Sequence, residues 1–407
     1  MNTHTQWISK SGFENKDRAP GVYRDVHEDA RFRNFRRSEF ERRRVYLDYN
    51  AMAPLRQSAK DVILSMVAMD ALGNPSSVHS YGRAIRRKIE DVRRTIMMAL
   101  GLENKVLIFT SGATESNNLA LKNFPGRVLV SAIEHDSVFD VRSDAIVLPV
   151  LGDGTLDLEI LEKHLSSDFD GPTLVSVMAA NNETGIMQPL SDVCTLAKKW
   201  GAYVHSDAVQ AIGRVDYPWG DLDMISVSSH KIGGLSGVGC LIINPTIPVN
   251  PLFLGGGQER TYRAGTENII GICAMGAIIQ DCIAEDWEPV QRLRDQLEHQ
   301  LTQNCPDAVV FGKDKERLPN TTLITMPSVK SETQVMNFDL AGFAVSAGSA
   351  CSSGKVKKSR VLQAMNVPET SNQCALRISL GSTIQENDLK RFAETWLGIY
   401  KKSLVRG

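Results

Sequence analysis

A lysine and an aspartate, each placed just beyond a short apolar run, suggest chemistry on a carbonyl cofactor. Lys231 follows the run 224–227 and precedes the glycine-rich stretch 233–239, and Asp207 follows the run 203–205. A lysine amine attacks a carbonyl group once burial or a neighbouring cation lowers its pKa. A carboxylate beside a pyridinium nitrogen strengthens that ring as an electron sink, so the pair predicts a pyridoxal phosphate site. Taken singly, Lys231 also suits a surface position and Asp207 a helix N-cap.

Three polar clusters earlier in the chain also follow apolar runs and supply further candidates. Thr114 lies in the cluster 110–118, which opens a predicted helix. Hydroxyls and free amides there suit a phosphate, although an ordinary capping box explains the cluster equally well. His135 is placed to stack on a flat ring and exchange protons, or it is a structural loop histidine. Asn182 can bond a ring hydroxyl, and an Asx turn is the alternative.

In the C-terminal half, an arginine and a cysteine have unusual neighbours. Arg377 lies inside the apolar pattern 376–380, where a buried guanidinium needs an anionic partner such as a substrate carboxylate. Cys351 is at the centre of a loop of small residues, 346–354, which indicates an exposed, reactive thiol unless its position is chance. The loop 255–268, with three glycines and two arginines, suits either anionic groups or a surface turn.

Short apolar runs alternate with longer amphipathic segments from residue 45 onward, which predicts an α/β fold. Runs that are apolar on both faces and separated by helices imply a mainly parallel, seven-stranded sheet flanked by helices. Ligands of such folds bind at the carboxyl ends of the strands, where the polar clusters fall. The seven runs are 106–109, 128–130, 145–148, 174–178, 203–205, 224–227 and 240–243.

A change of composition near residues 286–289 divides the predicted body into two domains. Residues 45–288 form a large cofactor-binding domain, whose first residues can pack with the small one, and residues 289–407 form a smaller α+β domain that carries the cysteine loop. The predicted elements of the small domain are a helix over 291–301 and strands over 321–326, 343–345 and 375–380. Residues 1–44 are a polar, arginine-rich extension, either a solvated tail or a helix that packs through Phe32, Phe35 and Phe40.

Composition narrows the class of protein. A net charge of -1 and a pI of about 6.7 argue against a nucleic-acid footprint and favour a small-molecule enzyme. No apolar run approaches the roughly 18 residues that cross a bilayer, and the first residues have no signal-peptide pattern. The seven cysteines are odd in number and lack CxxC spacing, so neither a disulfide framework nor a metal site is predicted. A reducing, cytoplasmic setting fits these features.

With these motifs in this order, the chain resembles fold type I pyridoxal phosphate enzymes of the class V aminotransferase family, specifically group I cysteine desulfurases of the NifS/IscS kind. The resemblance begins at 46–51 (YLDYNA), includes 73–77 (GNPSS) and extends to about residue 397. It implies a homodimer that converts L-cysteine to L-alanine and passes sulfur to an acceptor protein, such as an iron-sulfur scaffold or a SufE-like relay. Neither nucleic acid nor membrane is implied as a partner. An aminotransferase or selenocysteine lyase of the same family is the alternative, and a non-enzymatic scaffold is a further one.

The resemblance also implies roles for individual residues. Lys231 would carry the cofactor and remove the substrate Cα proton, Asp207 would pair with the ring nitrogen, and Cys351 would accept the sulfur as a persulfide. His135 would stack on the ring and carry protons near the substrate thiol. Arg377, assisted by Asn182, would bind the substrate carboxylate. The other implied cofactor contacts are Asn182 and Gln210 at the ring oxygen, and Thr114, Ser228, His230 and, from the second subunit, Thr266 at the phosphate.

Six positions depart from the usual family pattern, although none of them removes an implied catalytic group. Ser229 stands where glycine is common, and Met52 stands where threonine is typical. The other four are Leu235 and Ser236, in place of a frequent Pro-Lys, and Thr261 and Tyr262, in place of a small or basic pair. The 26 residues from Cys351 to Arg377 suit the longer, mobile cysteine loop of group I.

Overall fold

The computed structural model describes residues 44–348 and 358–405. Every site residue predicted from the sequence lies in these ranges except Cys351, whose predicted role therefore falls outside the described residues. The same holds for the polar extension up to residue 43. The predicted division between residues 288 and 289 stays a prediction.

A seven-stranded sheet forms the centre of the fold. Its strand order is β2-β8-β7-β6-β5-β3-β4, and only β8 runs antiparallel to its two neighbours. The prediction of a mainly parallel sheet is confirmed, and each predicted apolar run forms one of its strands. The strands are β2 (Val106–Thr110), β3 (Arg127–Ser131), β4 (Ile146–Leu148), β5 (Thr173–Ser176), β6 (Tyr203–Asp207), β7 (Met224–Ser228) and β8 (Gly239–Ile243).

The central strands are covered on both faces, which explains their unbroken apolar runs. Every residue of β5, β7 and β8 is buried. Because side chains alternate along a strand, successive residues enter two separate cores. Cys240 and Ile242 of β8 pack in the larger core, whereas Leu241 and Ile243 pack in the smaller one on the opposite face.

Helices connect the strands, and α1 and α2 both pack against α7. Gly101 ends α2 in the left-handed conformation (φ 66°) that glycine adopts at low cost. Within the described residues, none of the helices has the length and apolar content needed to cross a membrane. The helices are α1 (Gln57–Val67), α2 (Ser80–Leu100), α3 (Ala113–Leu121), α4 (Asp136–Phe139), α5 (Leu158–Leu165), α6 (Leu190–Lys199), α7 (Ile269–Ile283), α8 (Glu288–Asn304), α9 (Ser331–Leu340), α10 (Arg360–Ala364), α11 (Glu369–Asn372) and α12 (Glu386–Leu404).

A second, antiparallel sheet of three strands has the order β11-β12-β9. The segment 47–49 runs beside β12, because Ser379 N–H donates to the Leu47 carbonyl (2.9 Å) and Tyr49 N–H to the Ser379 carbonyl (3.2 Å). This places the first residues of the body against a strand near the end of the chain. The remaining strands are β1 (Val45–Tyr46), β9 (Thr321–Thr325), β10 (Phe343–Ala344), β11 (Ser346–Ala347) and β12 (Ala375–Ser379).

Candidate active site

Most of the predicted site residues line one cavity of about 700 Å³. Thr266 is exposed and lies outside the set of residues that line this cavity. Residues that are separated by up to 263 positions in the chain therefore line the same cavity. The predicted residues that line it are Thr114, His135, Asn182, Asp207, Gln210, Ser228, His230, Lys231 and Arg377.

The parallel strands place these side chains at one edge of the large sheet. Asp207 is the last residue of β6, Ser228 is the last residue of β7, and Lys231 ends the 3₁₀ turn Ser229–Lys231 that follows. His135 lies just beyond β3, and Thr114 is in the first turn of α3, beyond β2. Strands that run in the same direction end at the same edge, which is where ligands of this fold class bind.

The Lys231 amine faces neutral acceptors. Its Nζ donates to the main-chain carbonyls of Asn50 (2.6 Å) and Ala51 (2.9 Å). Burial, and then the nearby cations of Arg377 and Arg214, lower the pKa of Lys231 to about 8 against the opposing effect of Asp207. A substantial fraction of the amine is therefore neutral just above pH 7, as a nucleophile requires.

The Asp207 carboxyl is held from two sides. Asn117 Nδ2 donates to Oδ2 (2.8 Å), and Val209 N–H donates to Oδ1 (3.1 Å). Asn117 Nδ2 also donates to Ser137 Oγ (2.9 Å), which lies 2.8 Å from His135 Nδ1. A chain of hydrogen bonds thus links His135 with Asp207, and it fixes both side chains relative to one another.

The N-terminus of α3 lines the cavity through Gly112, Ala113 and Thr114, and the first amides of a helix are open because they have no partner within the helix. Gly112 precedes the helix with a φ of 150°, in the region that favours glycine, and no side chain caps the helix at this residue. Glu115 instead accepts from the N–H of Ser111 (2.8 Å), the residue before Gly112. This capping interaction therefore leaves the amides of the first helical turn available for an anion. Amides at a helix N-terminus, with the hydroxyl of Thr114 beside them, suit a phosphate.

Ser228 and His230 lie beside this helix end. Ser228 Oγ is 2.9 Å from His230 Nδ1. Burial, and then the charge of Lys231, lowers the pKa of His230 to about 4, so its imidazole is neutral at pH 7. A neutral imidazole whose Nδ1 is bonded to a hydroxyl keeps Nε2 for another partner.

Arg377 lies in β12 and lines the same cavity. Its Nη2 donates to Asp48 Oδ1 (2.7 Å), and its Nη1 donates to the Asn182 carbonyl (3.1 Å). The residue is only 2% exposed, and its Nε has no partner among the described residues. The anionic partner that sequence predicts for this arginine is thus present in part as Asp48, while one donor remains open.

Sequence reasoning missed two buried carboxyl groups in the cavity wall. Burial raises the pKa of Glu134 well above its ordinary value, although Oε1 accepts from Met178 N–H (2.7 Å). Burial also raises the pKa of Glu183, whose Oε2 accepts from Ser359 Oγ (2.5 Å). Each glutamate stands next to a residue that was singled out, His135 or Asn182, but the sequence carries no local signal that these carboxyls are buried.

Two further residues escaped prediction although they contact the predicted set. Asn50 Nδ2 donates to the Asn182 carbonyl (3.1 Å), and the Asn50 carbonyl accepts from Gln210 Nε2 (3.0 Å) as well as from Lys231. Arg214 Nη1 donates to Gln210 Oε1 (2.7 Å). Arg214 stands four residues after Gln210 in an otherwise apolar stretch, which is the one local signal that marks it.

Comparisons with known proteins agree with this architecture. The family model described as "Aminotransferase class-V" matches residues 45–392. The chain is 36% identical over 367 residues to "Cysteine desulfurase IscS" of Dictyoglomus turgidum, covering 86% of this chain and 92% of that protein. It is 38% identical over 368 residues to a "Cysteine desulfurase" of Cereibacter sphaeroides, covering 86% and 94% of the two chains.

A solved structure shares the fold over nearly its whole length. The X-ray structure of a NifS-like protein from Rickettsia africae superposes with a TM-score of 0.82 at 36% identity, and the match covers 88% of this chain and 99% of that one. The prediction of a fold type I architecture is therefore confirmed. The chain belongs to the class V aminotransferase family and, within it, to the cysteine desulfurases.

Proposed function

We propose that this protein is a pyridoxal phosphate-dependent cysteine desulfurase, a sulfurtransferase that converts L-cysteine to L-alanine and carries the sulfur as a persulfide on Cys351. The observation that carries the proposal is the Lys231 amine, whose pKa is lowered to about 8, in one cavity with Asp207 and Arg377. These three groups supply a nucleophile, a carboxylate for a ring nitrogen and a cation for a substrate carboxylate.

The donors of the cavity fit pyridoxal phosphate. Lys231 would bind the aldehyde carbon, Asp207 the ring nitrogen, and Gln210 and Asn182 the ring oxygen, with His135 stacked on the ring. The open amides of α3 fit the phosphate, together with Thr114, Ser228 and His230. The bound cofactor supplies an electron sink for the carbon that loses a proton.

Arg377 would hold the substrate carboxylate. Its Nε is buried and has no partner among the described residues, so one donor is available without breaking the Asp48 contact. A charge-assisted hydrogen bond from arginine to carboxylate is strong and directional. The substrate would thereby present its Cα–H to Lys231 and its thiol to the open side of the cavity.

Two side chains would move protons. Lys231 Nζ would take the proton from Cα, because its lowered pKa leaves a neutral fraction at physiological pH. His135 would exchange a proton with the substrate sulfur through Nε2, because Nδ1 is engaged by Ser137 N–H (3.1 Å) and lies near Ser137 Oγ.

Sulfur transfer would use Cys351 as a thiolate. Its Sγ attacks the substrate sulfur, the carbon–sulfur bond breaks, and the electron pair stays with the three-carbon fragment, which is protonated and leaves as alanine. The product on the protein is a persulfide. Five described cysteines are poor substitutes, because burial raises the pKa of Cys194 and Cys240 to about 12, that of Cys282 to about 11, and those of Cys273 and Cys374 above the ordinary value.

The proposal extends to partners and setting. A second copy of the chain would complete the phosphate contacts through Thr266, and exposed apolar side chains such as Val78 (85%) and Leu254 (86%) support association. The sulfur would pass to an acceptor protein, such as an iron-sulfur scaffold or a SufE-like relay. A cytoplasmic setting suits the proposal, because the reaction needs a reduced Cys351 thiol.

The test is to incubate the purified holoenzyme with sulfur-labelled L-cysteine and to locate the label by mass spectrometry. We expect a persulfide on Cys351, with alanine formed in the absence of any keto acid. Cys351→Ala should abolish the persulfide and keep the cofactor bound, whereas Cys374→Ala, which removes a buried thiol, should retain activity. Label on another cysteine would remove Cys351 from the mechanism, and a requirement for a keto acid would identify an aminotransferase instead.

A further inference from the structure

Arg214 is a buried arginine at the edge of the candidate site. It is 7% exposed, and no carboxylate of the described residues lies within ion-pair distance of it. Burying a guanidinium without a counter-ion carries a free-energy cost that its hydrogen bonds must offset. Burial lowers the pKa of Arg214 to about 10, so the group still carries its charge at neutral pH.

The hydrogen bonds of Arg214 converge on the surroundings of Lys231. Nη1 donates to Asn50 Oδ1 (2.9 Å) and to Gln210 Oε1 (2.7 Å), and Nη2 donates to the Lys231 carbonyl (3.3 Å). The Asn50 carbonyl in turn accepts from Gln210 Nε2 (3.0 Å) and from Lys231 Nζ (2.6 Å). One guanidinium therefore closes a ring of hydrogen bonds through three cavity residues.

We propose that Arg214 is a positioning residue of this site. It fixes Asn50, Gln210 and the Lys231 backbone relative to one another, and it keeps a positive charge close to the lysine. The proposal rests on the proposed function, in which Lys231 binds the cofactor and Gln210 contacts its ring oxygen. Through the Asn50 carbonyl, Arg214 sets where the Lys231 amine lies. Through Gln210, it sets where an amide meets the ring oxygen of the cofactor.

The charges around Lys231 support this assignment. Arg377 and Arg214 disfavour the protonated amine, whereas Asp207 and Asp48 favour it, and burial is the largest single cause of its lowered pKa. The groups whose charges act on Arg214 itself are Cys282, Arg377, Glu285 and Tyr49. Glu285 is engaged by Arg56, so the positive charge of Arg214 is not neutralised locally among the described residues.

The experiment measures the titration of the Lys231 amine directly. Full-length protein is freed of cofactor, its amines are labelled competitively with an acylating reagent at a series of pH values, and the Lys231 peptide is quantified by mass spectrometry. In Arg214→Gln we expect the apparent pKa of this amine to rise by about one pH unit, as the loss of a nearby cation in a partly buried site implies. Arg214→Lys, which keeps the charge, should stay within a few tenths of a pH unit of the parent.

Positioning is measured separately on the holoenzyme, as the rate at which it releases cofactor on dilution. Arg214→Lys cannot donate in the planar geometry of a guanidinium, so we expect cofactor release to be about tenfold faster although the charge is kept. Asn50→Ala, which removes the Oδ1 acceptor and leaves Arg214 charged, should accelerate release to a similar extent.

Arg294→Gln is the matched control, because Arg294 is also a buried arginine (4% exposed) whose Nη1 donates to main-chain carbonyls, those of Leu318 and Thr321. It should lower thermal stability and leave both readouts at the parent values. The proposal is overturned if a folded Arg214→Gln titrates like the parent, if Arg294→Gln shifts the Lys231 amine equally, or if Arg214→Lys releases cofactor at the parental rate. These readouts do not require desulfurase turnover, so a failure of the proposed reaction would be seen independently, as absent alanine and persulfide.

Discussion

Lys231 Nζ donates to the main-chain carbonyl of Asn50 at 2.6 Å, across 181 positions of the chain. A carbonyl is a neutral acceptor, so this contact orients the amine without the charge stabilisation that a carboxylate partner would give. The amine is consequently held in one direction, and it loses its proton more easily than an amine paired with a carboxylate would. The same carbonyl accepts from Gln210, which makes Asn50 a shared reference point for two cavity side chains.

The lowered pKa of Lys231 predicts a specific dependence of stability on pH. Its pKa is about 8 in the folded chain and 10.5 in the unfolded chain, so between these values the unfolded state binds more protons. The free energy of unfolding of the cofactor-free protein should therefore rise with pH across this window, by about 3 kcal/mol relative to Lys231→Met. Urea unfolding from pH 7 to 10.5 measures the difference, and Lys199→Met, which removes an exposed amine, serves as the control. Parallel curves for the parent and Lys231→Met would contradict the shift.

Asp207 should matter for catalysis far more than for folding. Replacing it with Asn keeps the size of the side chain but removes the charge that would face the ring nitrogen. We expect kcat to fall by about a hundredfold to a thousandfold, as is typical when one preorganised electrostatic group is lost. Asp223→Asn is a matched control, because Asp223 Oδ2 accepts from Val204 N–H (2.9 Å) away from the cavity. Similar activity losses in both variants would mean that Asp207 acts only structurally.

The sequence predicts the strands and the polar clusters at their ends because both signals are local. An apolar run such as 240–243 favours a strand that is buried on both faces, as β8 is, and Asp207 and His135 are marked because each follows such a run. The contacts that join Asn50 to Gln210 and Arg214 are not local, since these residues lie 160 and 164 positions apart. No spacing rule relates such residues, so the hydrogen-bond ring behind Lys231 emerges only from the folded chain.

Asn182 shows the same limit in another form. The sequence predicts a role for its amide side chain, whereas the contacts that the structure gives to Arg377 and Asn50 are made by its main-chain carbonyl. Every residue carries a carbonyl, so residue type holds no information on such a contact.

Arg377 should affect the apparent affinity for substrate more than the rate of turnover. In Arg377→Gln we expect the KM for L-cysteine to rise by about tenfold to a hundredfold, the effect of losing a charged hydrogen bond, with cofactor affinity unchanged. In this variant the Asp48 carboxylate would lose the partner that lies 2.7 Å away. The double variant Arg377→Gln/Asp48→Asn avoids this unpaired charge. Steady-state kinetics on both variants measures the KM for L-cysteine, with Arg391→Gln as a surface control. An unchanged KM in the double variant would exclude Arg377 as the carboxylate anchor.

His205 should make the fold sensitive to acid. It is fully buried in β6, with Nδ1 at 2.8 Å from Ser176 Oγ and Nε2 at 3.0 Å from Ser226 Oγ, and burial lowers its pKa to about 3. Below pH 6.5 His205 is protonated in the unfolded chain but stays neutral in the folded chain. The free energy of unfolding therefore falls as the pH drops from 6.5 towards 3, by up to about 1.4 kcal/mol per pH unit. His205→Asn should flatten this part of the curve, whatever its effect on stability at pH 7, and His299→Asn removes an exposed imidazole for comparison. Chemical denaturation from pH 7 to 4 measures the slopes, and an unchanged slope in His205→Asn would show that the buried imidazole does not cause the acid sensitivity.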